Sequence, residues 1–153
     1  MDTTLGITSA RIDKYLDDKE LFSVIKETGF NCVDYYVSRY TTSSPYFSED
    51  ESSLIAYFSD LRAYADNIGI KVHQTHAPYP TQPHNGKNNE SMLKSMQNAI
   101  HASAILGAKY IVVHPQRSKL DQDPALYDQH IIKDANFTAV CCPIYKSTTS
   151  HLQ

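Results

Sequence analysis

Three short stretches of this 153-residue chain look alike: ETGFNCVDYYV, NIGIKVHQTHAP and ILGAKYIVVHP. Each holds a glycine, a brief connection and then a run rich in β-branched and aromatic residues. The glycines are Gly29, Gly69 and Gly107, 40 and 38 positions apart. A glycine there suits a helix C-terminus, where a left-handed residue without a Cβ costs little. Upstream of Gly69, Leu54, Phe58, Leu61, Ala65 and Ile68 recur at steps of three and four. Met92, Met96, Ile100, Ser103 and Ala104 do so before Gly107, and Leu21, Phe22 and Ile25 form a shorter pattern before Gly29. This is the period of an amphipathic helix. Ser48-Glu49-Asp50-Glu51 offers a capping box from which the second helix starts.

The runs after the glycines predict strands at Cys32–Val37, Lys71–Thr75 and Tyr110–Val113, preceded by a first strand at Leu5–Ser9. The order is therefore β-α-β-α-β-α-β. Strands joined by helical crossovers form a parallel sheet, so the fold class is α/β with parallel (β/α) repeats. Ligands of parallel α/β folds bind beyond the C-terminal ends of the strands. His76 ends the third strand and His114 the fourth, each followed by proline within two residues. One such histidine is ordinarily a loop residue; two at equivalent positions point to a site. Strict alternation puts Val72, Gln74 and His76 on one face, with Tyr110, Val112 and His114 on the matching face. It turns His73 the other way, under a helix.

With both histidines in place the chain resembles the xylose isomerase-like TIM-barrel superfamily, which holds sugar and sugar-phosphate isomerases and epimerases and the barrel-type apurinic endonucleases. The resemblance rests on GITSA, ETGFNCVDYY, VHQTHAPYP and SMLKSMQNAIHASAILGAKYIVVHP and covers about residues 4–137. It implies the first half of a (β/α)8 barrel: four strands and three helices in residues 1–117, followed by an irregular C-terminal tail with a partial helix in 118–153. It implies a divalent metal (Mn, Mg, Co or Zn) at the mouth of the full-length family's barrel. In the isomerase branch that metal is held by Glu, Asp, His and Glu of strands five to eight, while His76 and His114 line the substrate pocket. In the endonuclease branch His76 and His114 are themselves zinc ligands. Asp34 matches an acidic position of the second strand, as a substrate contact or as a buried carboxylate that shapes the barrel floor. Tyr36 and Tyr79 lie near strand ends, where rings can stack on a sugar.

A (β/α)8 barrel takes about 250 residues. Here the run TAVCCP, β-branched and broken by proline, stands where a fourth helix would follow. The expectation is a truncated, inactive fragment of a sugar or sugar-phosphate isomerase or epimerase that holds metal weakly, because the metal carboxylates belong to the other half. An apurinic endonuclease-like zinc nuclease and a non-catalytic half-barrel remnant or subunit are the alternatives. Open barrel edges would favour a homodimer.

The bulk properties narrow the partners. A net charge of −3 disfavours nucleic acid. No basic patch is evident beyond Arg117 and Lys119, although a small, locally basic site is compatible with this balance. No apolar run approaches the roughly 20 residues of a membrane helix, and the N-terminus has no signal-peptide pattern. Cys32, Cys141 and Cys142 make an odd, unspaced set. Together these predict a reduced, cytoplasmic chain that acts on a small sugar and not on a membrane.

Overall fold

A computed structural model describes residues 4–37, 51–78 and 89–113. Four strands form one sheet in the order β1-β2-β3-β4, and every neighbouring pair is parallel. They are β1 (Gly6–Thr8), β2 (Cys32–Tyr35), β3 (Lys71–His76) and β4 (Tyr110–Val112). Helices α1 (Asp18–Glu27), α2 (Glu51–Ile68) and α3 (Asn89–Ile105) connect them in turn. The α/β architecture expected from the glycine repeat is present. Gly29, Gly69 and Gly107 all have positive φ, at 93°, 74° and 72°, so each closes its helix in the left-handed region.

The helices bury the faces that their periodicity marks. Leu21, Phe22 and Ile25 of α1 and Leu54, Phe58, Leu61 and Ala65 of α2 are buried, and they meet Val33, Tyr35 and Val72 of the sheet in one core. Phe22 and Tyr35 pack edge to face, with ring centroids 5.5 Å apart. At the C-terminal ends of β3 and β4 a smaller cluster joins Ala77, Met96 and Ile100. Helix α1 starts on a capping box absent from the sequence reading: the Asp17 carboxylate accepts from the Glu20 amide at 2.8 Å, and the Glu20 carboxylate accepts from the Asp17 amide at 3.2 Å. Ser48, the cap expected for α2, lies outside the described residues.

One expectation of the sequence is overturned. Val72 pairs with Val33, but the next pair is Gln74 with Asp34, so β3 carries one extra residue at His73. This β-bulge reverses the alternation after it. Val72 lies on the helix-facing side in the core, whereas Gln74 and His76 lie on the other face with Asp34, Tyr110 and Val112. His73 is exposed and not under a helix; its ring meets Tyr110 edge-on at 5.6 Å. Its carbonyl accepts the Lys109 amide at 2.9 Å, which holds the bulge against the start of β4.

Cys32 is buried and free. Burial pushes its thiol above the ordinary value, against an opposing pull from backbone hydrogen bonds of His73 and Val33. A raised thiol pKa keeps the sulfur protonated and unreactive. Its contribution to stability is complete below the pKa of the unfolded thiol and is lost as pH rises through the higher folded value. In a Cys141→Ser/Cys142→Ser chain, Cys32 is expected to react with a thiol reagent at pH 8 at least about tenfold more slowly than in urea. Equal rates in the folded and unfolded chain would contradict this.

Candidate functional site

The C-terminal tips of β1, β2 and β3 place a carboxylate, an imidazole and a phenol together. Asp34 is flanked in the sheet by Thr8 and Gln74. His76 ends β3, and its Nε2 lies 3.1 Å from Asp34 Oδ2. Both side chains are largely covered, with 17% exposure for His76 and 23% for Asp34. The Tyr36 ring stacks on the imidazole, with centroids 5.2 Å apart and planes 28° apart. The ring of His76 is thus held by a hydrogen bond at its edge and an aromatic face against its plane.

Ser9 assembles this arrangement. It is fully buried just beyond β1. Its amide donates to the Asp34 carbonyl at 2.9 Å, extending the ladder past Thr8. Its hydroxyl accepts from the Tyr36 amide at 2.8 Å, and its carbonyl accepts from Ile12 and Asp13 in the following 3₁₀ turn. β2 therefore ends at Tyr35, two residues short of the strand end expected at Val37, and the Tyr36 ring can turn onto His76. The sequence carries only a weak signal for Ser9: a small polar residue at a strand end, inside the GITSA stretch.

The two carboxylate oxygens of Asp34 differ. Oδ2 faces His76, whereas Oδ1 is buried with no hydrogen-bond partner among the described residues. Buried polar atoms in folded proteins nearly always have partners, and an exception calls for an explanation. With His76 Nε2 donating to Asp34, the carboxylate fixes the tautomer and orientation of the neutral ring.

The structure thus brings together His76, Asp34 and Tyr36. His114 and Tyr79 lie outside the described residues, as does the whole of 118–153. Among the described residues, no three or more His, Cys, Asp or Glu side chains are grouped so that they could hold one ion. His76 and Asp34 are two donors where a zinc site commonly has at least three from protein. Taken alone, the described residues do not fit a divalent metal. No described helix is long and apolar enough to cross a membrane.

This arrangement of strands and helices is similar to a solved structure, that of 3-keto-D-glucoside 4-epimerase YcjR from E. coli. The TM-score is 0.54 at 18% sequence identity, over 91% of this chain and 53% of that one. The likeness shows the fold. Four parallel strands and three helices match part of a TIM-barrel enzyme, consistent with a half barrel, and this chain spans about half the length of that structure. No family model matches the chain, and no curated protein matches it.

Proposed function

We propose that this chain is a sugar isomerase or epimerase of the xylose isomerase-like kind, and that the tips of β1 to β3 form the part of its site that grips and orients the sugar. The observation that carries this reading is the buried, unpartnered Oδ1 of Asp34 beside a clamped imidazole, at the end of the sheet where such folds bind ligands. Isomerisation and epimerisation of a sugar relocate protons next to a carbonyl. They need acceptors aimed at particular hydroxyls and a group that can take and return a proton. Asp34 Oδ1 supplies a charged acceptor in a partly dry setting, where such hydrogen bonds are strongest. His76 supplies a base whose tautomer Asp34 sets. Tyr36 fixes the ring plane, so its role is to position His76, which takes up one face that could otherwise stack on a sugar. A divalent metal of the family, when bound, supplies polarisation of the substrate carbonyl. The described residues hold too few ligands for a step to be assigned to it.

The activity named for the E. coli enzyme makes a 3-keto-glucoside the first ligand to try, followed by free aldoses and ketoses and their phosphates. Saturation-transfer NMR on the purified chain is expected to show saturable binding of at least one of them. His76→Ala should weaken that binding at least about tenfold, which is a loss of roughly 1.4 kcal/mol. No saturable binding across the panel, or equal binding by His76→Ala, would remove the basis for this function.

A further inference from the structure

We propose that the chain has a second ligand site, at the opposite end of the sheet, that takes a small phosphate-type dianion. It does not rest on the sugar reading. A cavity of about 220 Å³ lies between the C-terminal part of α2, the start of β3 and the turn from Leu106 to Lys109 that leads into β4. Arg62, Lys71 and Lys109 line it, with Asp66 as the carboxylate among the lining residues. Three basic residues and one acidic one thus line a single concavity in a chain whose net charge is −3. Like charges gathered this way repel one another unless an anion joins them.

The cations are also held in place. Asp66 accepts from Arg62 Nε at 2.7 Å, which anchors the guanidinium by its inner nitrogen. The outer nitrogens, Nη1 and Nη2, have no hydrogen-bond partner among the described residues and remain available to a ligand. The guanidinium lies over Gly107 so closely that a Cβ at that position would stand 1.7 Å from Nη1 and 2.8 Å from Cζ. Gly107 is required for its positive φ, and a side chain there would also push the guanidinium aside. Lys109 Nζ sits 5.6 Å from the centroid of the Tyr110 ring, a contact that steadies the ammonium. Lys71 has no carboxylate partner among the described residues. His73, the extra residue of the bulge, is also among the residues that line the cavity.

A planar fork with two ammonium groups around it matches the oxygens and double charge of a phosphate better than a single carboxylate. The cavity is also well above the ~30 Å³ that one water occupies in the liquid. Lys71 opens β3 and His76 closes it, so at about 3.3 Å per residue the two sites stand roughly 17 Å apart. The ligand is either free inorganic phosphate or the phosphate of a phosphomonoester.

The test is calorimetric titration of the full chain with inorganic phosphate and, separately, with glycerol phosphate. Ionic strength is held constant with sodium chloride, and chloride alone is the control. Saturable one-site binding is expected, at least tenfold weaker in Lys71→Gln/Lys109→Gln and weaker in Arg62→Lys, with unchanged thermal midpoints and no change in His76→Ala. Equal affinity for both probes would assign free phosphate, and preference for the ester would assign a phosphomonoester; either supports the site. Heats that do not saturate, that chloride reproduces, or that persist undiminished in the double lysine variant would overturn it. Loss of phosphate binding in His76→Ala would move the ligand to the mouth and would equally overturn it.

Discussion

Replacing Phe58 with alanine is expected to cost this chain most of its stability. Phe58 lies near the middle of α2 and is fully buried. It belongs to the core that joins α1 and α2 to β2 and β3, and its ring meets Tyr57 edge-on at 5.1 Å. Phe→Ala in a packed core costs about 3–5 kcal/mol, because the lost burial is joined by a cavity that the neighbours fill only in part. Domains of this size hold roughly 5–15 kcal/mol in total. The described core is a single layer of helices against one face of a four-stranded sheet. With a urea slope of about 1–3 kcal/mol/M, the midpoint should fall by at least ~1 M, or the cooperative transition should vanish. Urea unfolding followed by circular dichroism measures this. A midpoint within about 0.3 M of the parent would show that α2 is not packed on the sheet as described.

Asp34→Asn is expected to separate function from stability. In the parent, the Asp34 side chain is 23% exposed and its Oδ1 has no hydrogen-bond partner among the described residues. An unsatisfied buried acceptor costs about 1–3 kcal/mol, more when charged. Asparagine has the same shape, keeps an oxygen for His76 Nε2 and removes the charge. Thermal unfolding should therefore be unchanged or move up, by about 2–4 °C for each kcal/mol recovered. Sugar binding should weaken at least about tenfold, since a charge-assisted acceptor is roughly twice as strong as a neutral one. A functional group retained against the interest of stability is common at active sites. Asp34→Asn could instead lower the melting temperature by about 5 °C or more while sugar affinity stays intact. Asp34 would then be a structural carboxylate on the barrel floor.

Much of the scaffold was legible before any coordinates. Helix periodicity and a glycine at each helix end are local properties, enforced by contacts three and four residues apart and by the φ of one residue. Leu54, Phe58, Leu61 and Ala65 could be placed on one face, and all four are buried there. His76 could likewise be placed at a strand end, and it meets Asp34 of the neighbouring strand at 3.1 Å. What failed was alternation through KVHQTH. Nothing in those six letters marks His73 as extra; the bulge exists because β3 must register with β2 on one side and β4 on the other. That single slip exchanged the faces expected for Val72 and His73.

The sequence by itself determined the order of elements, the parallel sheet and the end of it at which His76 stands, because short-range periods and turn residues specify those. Only the tertiary structure decided which side chains converge. Ser9 ties Asp34 to Tyr36 across 27 residues of chain, and Arg62, Lys71 and Lys109 reach one cavity from a helix, a strand and a turn. Such meetings depend on the register between strands and the packing of helices over them. Both are set by contacts between residues far apart in the chain, which no local pattern encodes.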